Sequence, residues 1–595
     1  MEKYHLLLKV LDNLCKEAPS NYKSYHPDKN DVDKINKARS KAFIHLFLKV
    51  KFGLLNFHER HKYITDNPGD AGIDAYFIDR ELKIIYFIQS KFRANKQNFE
   101  EKKIKIEELL AMEIDRVLEG YNSYENGKRF NSKILNMINE IKAIDDIGRY
   151  RYDVIILANV KEIVQSKLRR LFGYPTQIFN FERTYMDLLF PLLTGSYYNI
   201  PDLNIYINIS DKSSGSKISY QVETSKGKCE ITVVFVPLEE IAQLMLKYRN
   251  SILKFNPRCY LDLSGSPINR EIHNTIISQQ TNEFALYNNG ITMLSDDTSF
   301  NERIGQRDKA VLCVKNPQII NGGQTAYSLA RIYEKNLNSP DKLQQIFLGK
   351  EVLLKVITFV DEIVLDSKLE LIEEISNATN QQNVVTYADR HSNDKIQHEL
   401  QDLLFNDFGI LYERKRGEFS DGIKSDYIDE SVILPRNVFV SVALACQGRH
   451  TKPRKIFKKP QSYNNIFNTK DYDNYKIGLQ VYYFLEDKYS SEKLKKSKNI
   501  LKYGFQALLF IVILKYRELK KPHIDKDLIF QISDYIISKS EEFEEYAIKL
   551  RSNRMFFRTI KTNKIERTIT NFYKYYTSIN AKNDLRKYFE KIPKV

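Results

Sequence analysis

The stretch Gly69–Phe92, GDAGIDAYFIDRELKIIYFIQSKF, decides how the chain is read. Ile73–Ile78 and Leu82–Ile88 are rich in β-branched and aromatic residues, with the polar Asp79, Arg80 and Glu81 between them. That pattern predicts two short antiparallel strands joined by a tight turn. Gln89 and Lys91 stand two apart at the end of the second strand, so they share a face. Pairing of the strands brings Asp74, near the start of the first, close to that face. A carboxylate, an amide and an ammonium at one spot suit a metal ion and a phosphate.

The flanks fit around this hairpin. Upstream, Asn67-Pro68-Gly69-Asp70 reads as a turn. Before it, a helix over Ile35–Phe52 has an apolar face of Ala42, Phe43, Leu46, Phe47 and Val50, and Gly53 is its stop. Downstream, Asn98–Ile147 reads as two helices, Arg151–Val160 as a buried strand, 161–174 as a helix and Gln177–Phe181 as a last strand. This order predicts a mixed sheet with helices on its faces.

Asp74 stands fifteen positions before Gln89 of Gln89-Ser90-Lys91, and Gly72-Ile73-Asp74 opens the first strand. This resembles the PD-(D/E)xK nuclease core, in particular its Mrr-like branch, where Gln replaces the usual acid. The resemblance implies that Asp74 holds a divalent metal, Mg²⁺ or Mn²⁺. It implies that Gln89 and the Ser90 carbonyl complete the metal site, and that Lys91 positions the attacking water and stabilises charge on the phosphate. One departure stands out: the family often has a Glu on the first helix, and here no acid lies between Arg39 and Gly53. His45 lies on that helix, either as its replacement or as a packed histidine.

At 595 residues the chain exceeds one hydrophobic core and predicts two to four domains. A hydrophobic content of 42% and a charged content of 28% exclude wholesale disorder. The formal charge of +16 favours a polyanionic partner. Basic runs at Lys452–Lys459, Lys493–Lys502 and Arg551–Arg567 read either as nucleic-acid contacts or as solvated faces. Five scattered cysteines without CxxC exclude a zinc-ribbon pattern and fit a reducing, cytoplasmic setting. The N-terminus has no cleavage pattern, and the longest apolar run, Ala507–Leu514, is too short to span a bilayer and predicts a buried helix.

A boundary falls at Pro191–Pro201, and a strand-rich region follows with a hairpin at Ser225–Cys229. Four motifs then occur in order: FALYNNGITML (Phe284–Leu294), PQIINGGQTAYSLARIY (Pro317–Tyr333), ISNATNQQNVV (Ile375–Val385) and YERKRGE (Tyr412–Glu418). Together they resemble the AIPR family, named for abortive infection and phage resistance, over roughly 230–500. Members often carry a PD-(D/E)xK-like segment at the N-terminus.

Asn288-Asn289-Gly290 reads as hairpin-turn chemistry. Asn321-Gly322-Gly323-Gln324-Thr325 lies between a strand and a helix. It reads either as an anion or ligand site at a helix start or as a tight connection in which Asn and Gly serve geometry. The amides Asn377 and Asn380–Asn383 suit base edges or buried backbone, and Arg414, Lys415 and Arg416 suit phosphates or a solvated turn.

The expectation is therefore a multidomain mixed α/β (α+β) protein. Residues 1–195 form a restriction-endonuclease-like nuclease domain, 200–425 a central AIPR α/β domain, and 426–595 a mostly helical region. The expected function is prokaryotic anti-phage defence by a Mg²⁺- or Mn²⁺-dependent endonuclease acting on phosphodiester bonds, DNA before RNA. The AIPR region would bind nucleic acid or regulate the nuclease. A homodimer and a regulatory protein partner fit this reading, and a membrane does not. The alternative is a non-catalytic nucleic-acid-binding or nucleotide-sensing defence protein.

Overall fold

The computed structural model describes residues 2–105, 112–160, 173–197, 202–208, 218–256, 267–279, 281–302, 309–337, 339–360, 371–372, 374–375, 378, 392, 394–449, 466–467, 471–489, 498–519, 525–552, 555–562, 565–570 and 572–590. Three helices open the chain: α1 (Lys3–Lys16), α2 (Val32–Phe52) and α3 (Phe57–Lys62). Asp31 starts α2 by accepting the Lys34 amide, and Gly53 ends it as expected.

The hairpin follows as β1 (Ala75–Asp79) and β2 (Ile84–Ser90), each starting two residues later than the sequence pattern suggests. The turn explains the later start of β2. The Asp79 carboxylate accepts the Glu81 and Leu82 amides, so the reversal occupies Arg80–Lys83. β3 (Arg151–Leu157) and β4 (Thr176–Ile178) complete a sheet of order β1-β2-β3-β4. β1 and β2 are antiparallel, while β2–β3 and β3–β4 are parallel. The parallel step from β2 to β3 needs a long crossover, and it contains the helix Ser132–Lys142. Ile134, Met137, Ile138 and Ile141 recur at helical spacing and bury against Tyr76, Ile78, Ile85, Phe87, Val154 and Ile156. On the other face, Phe52 of α2 stacks on Phe77 at 4.3 Å.

The middle of the chain supplies β5 (Asp202–Asn208), β6 (Ile218–Thr224), β7 (Gly227–Pro237), β8 (Ile291–Ser295), β9 (Asp297–Asn301), β10 (Lys309–Lys315), β11 (Gln318–Asn321) and β12 (Glu351–Phe359). They form a three-stranded sheet, β5-β10-β9, and a five-stranded one, β11-β8-β12-β7-β6. The helices Leu238–Tyr248 and Gly323–Lys335 share a core with these sheets. The expected hairpin at Ser225–Cys229 is the β6–β7 turn. Asn288–Gly290 is not a hairpin turn: it joins the short helix Phe284–Tyr287 to β8, because β8 pairs with β11 and β12 instead of with the segment before it.

Two compact units result. The first holds residues 1–385, 406–410 and 415–433, and the second 386–405, 411–414 and 434–595. Within the first unit, a buried polar network ties α1–α3 to residue 427. Glu17 pairs with Lys49 at 2.7 Å and with Arg60, and the Tyr427 hydroxyl donates to Glu17 at 3.0 Å. Burial opposes the charge on Glu17, but the two cations outweigh it and hold its carboxyl below the ordinary value. His45, fully buried, accepts from Arg60 and stands 2.9 Å from the Tyr25 hydroxyl. Burial, then the Arg60 charge, holds its pKa well down, so it is a neutral packed histidine.

The second unit is mostly helical. Its helix Phe505–Glu518 buries every residue from Ala507 to Ile513, as the apolar run predicts. The described residues also include a hairpin of Phe557–Thr562 and Ile565–Thr570, where the sequence reads as helix. Among the described residues no helix is long and apolar enough to cross a membrane.

Candidate metal and phosphate site

Asp74 immediately precedes β1, and its amide donates to the Ile88 carbonyl at 2.9 Å. The register Ala75↔Ile88 sets Asp74 across from Gln89. Both point to the face covered by the helix Ser132–Lys142, since Tyr76, Ile78, Ile85 and Phe87 do so in alternation. Gln89 is buried, 2% exposed. Ser90 meets Asp74 through its backbone: its N–H donates to Asp74 Oδ2 at 2.6 Å. Lys91 lies just beyond β2, where its amide donates to the Leu157 carbonyl at 3.1 Å. Asp74, Gln89, Ser90 and Lys91 are thus brought together.

The sequence reading missed two members of this site. The Asp74 carbonyl accepts the amides of Thr65 and Asp66, at 2.9 and 3.1 Å, which folds the 65–72 loop back over the start of β1. Asn131, the cap of the helix Ser132–Lys142, pins that loop by donating to the Thr65 carbonyl and accepting the Ile134 amide. The Tyr124 hydroxyl holds it from the other side by accepting the Ala71 amide. One carboxylate oxygen each from Asp66, Asp70 and Asp74 then lies within 4.8 Å of the other two. Aspartates recurring every fourth residue around Asn67-Pro68-Gly69 were the available signal; it has meaning only once the turn reverses the chain.

The electrostatics are those of an unbalanced anionic site. Burial pushes the Asp74 carboxyl up to about 7, with Asp66 and Asp70 adding to the effect; the Ser90 N–H and the Lys91 charge oppose it. Asp70 is also raised, first by burial. Three hard oxygen donors with too little positive charge nearby fit a divalent cation such as Mg²⁺ or Mn²⁺. For such an ion, Asp66 and Asp70 would supply the carboxylates that α2 does not.

Of the other sequence candidates, Thr325, Arg414 and Lys415 are buried. Asn288–Gly290 and Asn321–Thr325 lie against each other. Asn288 donates to Thr325 Oγ1 at 3.1 Å, and Gly322 (φ 82°) approaches Gly290 so closely that a Cβ would meet its carbonyl at 2.9 Å. A Cβ on Gly323 would stand 3.1 Å from Asn256 Nδ2. Gln324 is the second residue of the helix Gly323–Lys335, and Thr325 is buried in its first turn. Arg414 is nearly enclosed, donating to Gln401 Oε1 and the Ser392 carbonyl; Lys415, 1% exposed, donates to the carbonyls of Lys254 and Asn256. Arg416 is exposed. Asn377, Asn380–Asn383, Lys452–Lys459 and residues 493–497 lie outside the described residues.

Compared with known proteins, residues 253–583 match the family described as AIPR protein. No curated protein and no solved structure matches the chain. The match takes in all four motifs from Phe284 to Glu418.

Proposed function

From the premise that the chain belongs to the AIPR family, and so to anti-phage defence, we propose that it is a metal-dependent nuclease whose active site is the Asp66–Asp70–Asp74 cluster with Gln89 and Lys91. The convergence of three carboxylates beside Lys91, at the end of one hairpin, carries this reading. Asp66, Asp70 and Asp74 would hold Mg²⁺ or Mn²⁺, which supplies charge on the scissile phosphate and a more acidic water. Lys91 follows β2 two residues after Gln89, on the same side of the hairpin by strand alternation, so its ammonium would serve a phosphate bound over the carboxylates. There it stabilises charge that grows on the phosphate oxygens. The Ser90 amide fixes Asp74 by donating to Oδ2, leaving Oδ1 for a cation. Gln89, directly across the hairpin, orients the same carboxylate face.

The substrate in this reading is a nucleic acid, DNA before RNA, in keeping with the +16 charge. The family region would bind that nucleic acid or restrain the nuclease, and a pair of chains would serve cleavage of both strands of a duplex. The test is cleavage of single- and double-stranded DNA and RNA by the purified chain with Mg²⁺ or Mn²⁺. Cleavage by the wild type and none by Asp74→Ala supports the reading; equal cleavage by both rejects it.

A further inference from the structure

The parallel strands β2, β3 and β4 end side by side in the N-terminal sheet, and a small cleft lies just outside their carboxyl ends. Lys91 lines it from beyond β2, Leu157 and Ala158 from the end of β3, and Phe179 from just after β4. Crevices at this end of parallel strands are where open α/β sheets take their ligands. Arg93, Asn159 and Lys102, the last just after the short helix Lys96–Glu101, add to the wall. Three cations thus line the cleft, and no carboxylate does.

These cations are accessible. Lys102 is exposed, and Lys91 and Arg93 are half-buried. Among the described residues none of the three side chains makes a hydrogen bond or an ion pair. The backbone that carries them is fixed. The Tyr4 hydroxyl donates to the Arg93 carbonyl at 2.9 Å, and the Phe92 ring packs 5.7 Å from Phe43 and 5.9 Å from Phe99. Asn159 donates to the carbonyls of Phe99 and Glu100, at 2.6 and 3.1 Å, and so holds the end of the helix from which Lys102 extends. The Asn159 carbonyl accepts the Ile104 amide at 2.8 Å, which ties the chain after Lys102 to the end of β3. Positive charge gathered in one crevice without a counter-charge favours an anion.

Size selects the kind of anion. The cleft measures about 10 Å³, room for a water-sized group and too little for a ring system. A base cannot enter it, and a phosphate oxygen can. Lys91 belongs to this cleft and, by its place two residues after Gln89, to the side of the hairpin that carries Asp74. The cleft therefore continues the carboxylate site.

We propose that Arg93 and Lys102 hold a backbone phosphate neighbouring the one that Lys91 serves, so that a nucleic acid runs from the aspartates across the carboxyl ends of β2, β3 and β4 and is gripped without regard to its bases. The proposal deepens the nuclease reading and rests on it for the place of the scissile phosphate. Arg93 and Lys102 are positioning residues here: they contact a flanking phosphate and leave the reacting one to Lys91.

Fluorescence anisotropy on the purified full chain, in EDTA and over a series of salt concentrations, tests the contact apart from cleavage. The probes are duplex DNA and single-stranded RNA, each in two unrelated sequences. One backbone or both should bind, with equal affinity for the two sequences. Arg93→Ala and Lys102→Ala should each keep the melting temperature, weaken both sequences alike by about three- to tenfold, and lower the slope of log K against log salt by about one. Lys395→Ala, which removes a 90% exposed side chain from the second unit, should leave that slope unchanged. With Mg²⁺ or Mn²⁺, Arg93→Ala and Lys102→Ala should raise KM and keep kcat, whereas Asp74→Ala loses kcat. An unchanged slope in either cleft variant, an equal loss from Lys395→Ala, affinity that follows sequence, or no binding of either probe would overturn the proposal, and Asp74-dependent cleavage would still uphold the nuclease reading. A wild type that binds without cleaving, with slopes lowered in both variants, would uphold the phosphate contact and reject the nuclease reading.

Discussion

The Glu17 network and the Asp74 cluster both draw charge below the surface of the same N-terminal segment, and they do it on opposite plans. Around Glu17, one carboxylate faces Lys49 and Arg60, and the Tyr427 hydroxyl and neutral His45 fill the remaining positions. Around Asp74, three carboxylates outnumber the ammonium groups of Lys91 and Lys133 that act on them among the described residues, and the Asp74 pKa rises to about 7 instead of falling. The first arrangement is complete without a ligand and holds helices to residue 427. The second lacks positive charge, which on the proposed reading a divalent cation would supply. The comparison separates structural charge from functional charge by balance, where burial alone would group them together.

The largest effect expected is on catalysis. Asp74→Ala should lower metal-dependent cleavage by at least about 10²–10³, the scale for losing a group that acts on transition-state charge, while the melting temperature is kept. Loss of the fold in this variant, or cleavage at the wild-type rate, would blur the contrast with Glu17. Glu17→Ala should do the reverse. It leaves Lys49 and Arg60 buried without their carboxylate, at about 3–5 kcal/mol of stability, read by denaturant titration.

Titration sharpens the comparison further. The Asp74 pKa in the fold lies above its ordinary value of 3.8. The folded chain therefore holds that proton more tightly than the unfolded chain. The associated stability is fully present below about pH 4 and is lost as pH rises through about 7. Asp74→Asn should thus stabilise the metal-free chain at pH 8, by about 1–2 kcal/mol after allowance for solvent screening, and do little at pH 4. Saturating Mn²⁺ should reverse the order, because only the wild type gains from the ion. The smallest effect belongs to the loop that carries Asp66 and Asp70. Asn131→Ala removes a helix cap and the tie to Thr65, at about 1 kcal/mol, and should weaken Mn²⁺ binding in calorimetry more than it lowers the melting temperature.

Much of this was legible in the sequence where period and turn chemistry act locally. The alternation of Tyr76, Phe77 and Ile78 against Ile85, Tyr86 and Phe87 specified a hairpin, and Asp74, Gln89 and Lys91 followed from its pairing. The run from Ala507 to Leu514 specified a buried helix in the same way. Asp66 and Asp70 did not follow, because their place depends on a loop held by Asn131 and Tyr124, more than fifty residues downstream. Asn288–Gly290 was misread as a hairpin turn because its strand partner, β11, is set by tertiary pairing. The closeness of Gly290 and Gly322 is likewise a packing fact that neither motif carries alone. Arg414 and Lys415 have the composition of a phosphate-binding loop, yet their donors go to Gln401 and to backbone carbonyls far along the chain.

The central claim is that Lys91 and the three aspartates form a nuclease site, and the most direct measurement is metal-dependent cleavage by Lys91→Ala. Lys91 is not a carboxylate, so this variant keeps all three aspartates for a metal ion while removing the ammonium. The account expects the purified wild type to cleave DNA or RNA with Mg²⁺ or Mn²⁺, and a folded Lys91→Ala chain to bind Mn²⁺ without cleaving. No cleavage of any nucleic acid by the wild type, or cells carrying Lys91→Ala that resist phage as well as the wild type, would contradict it.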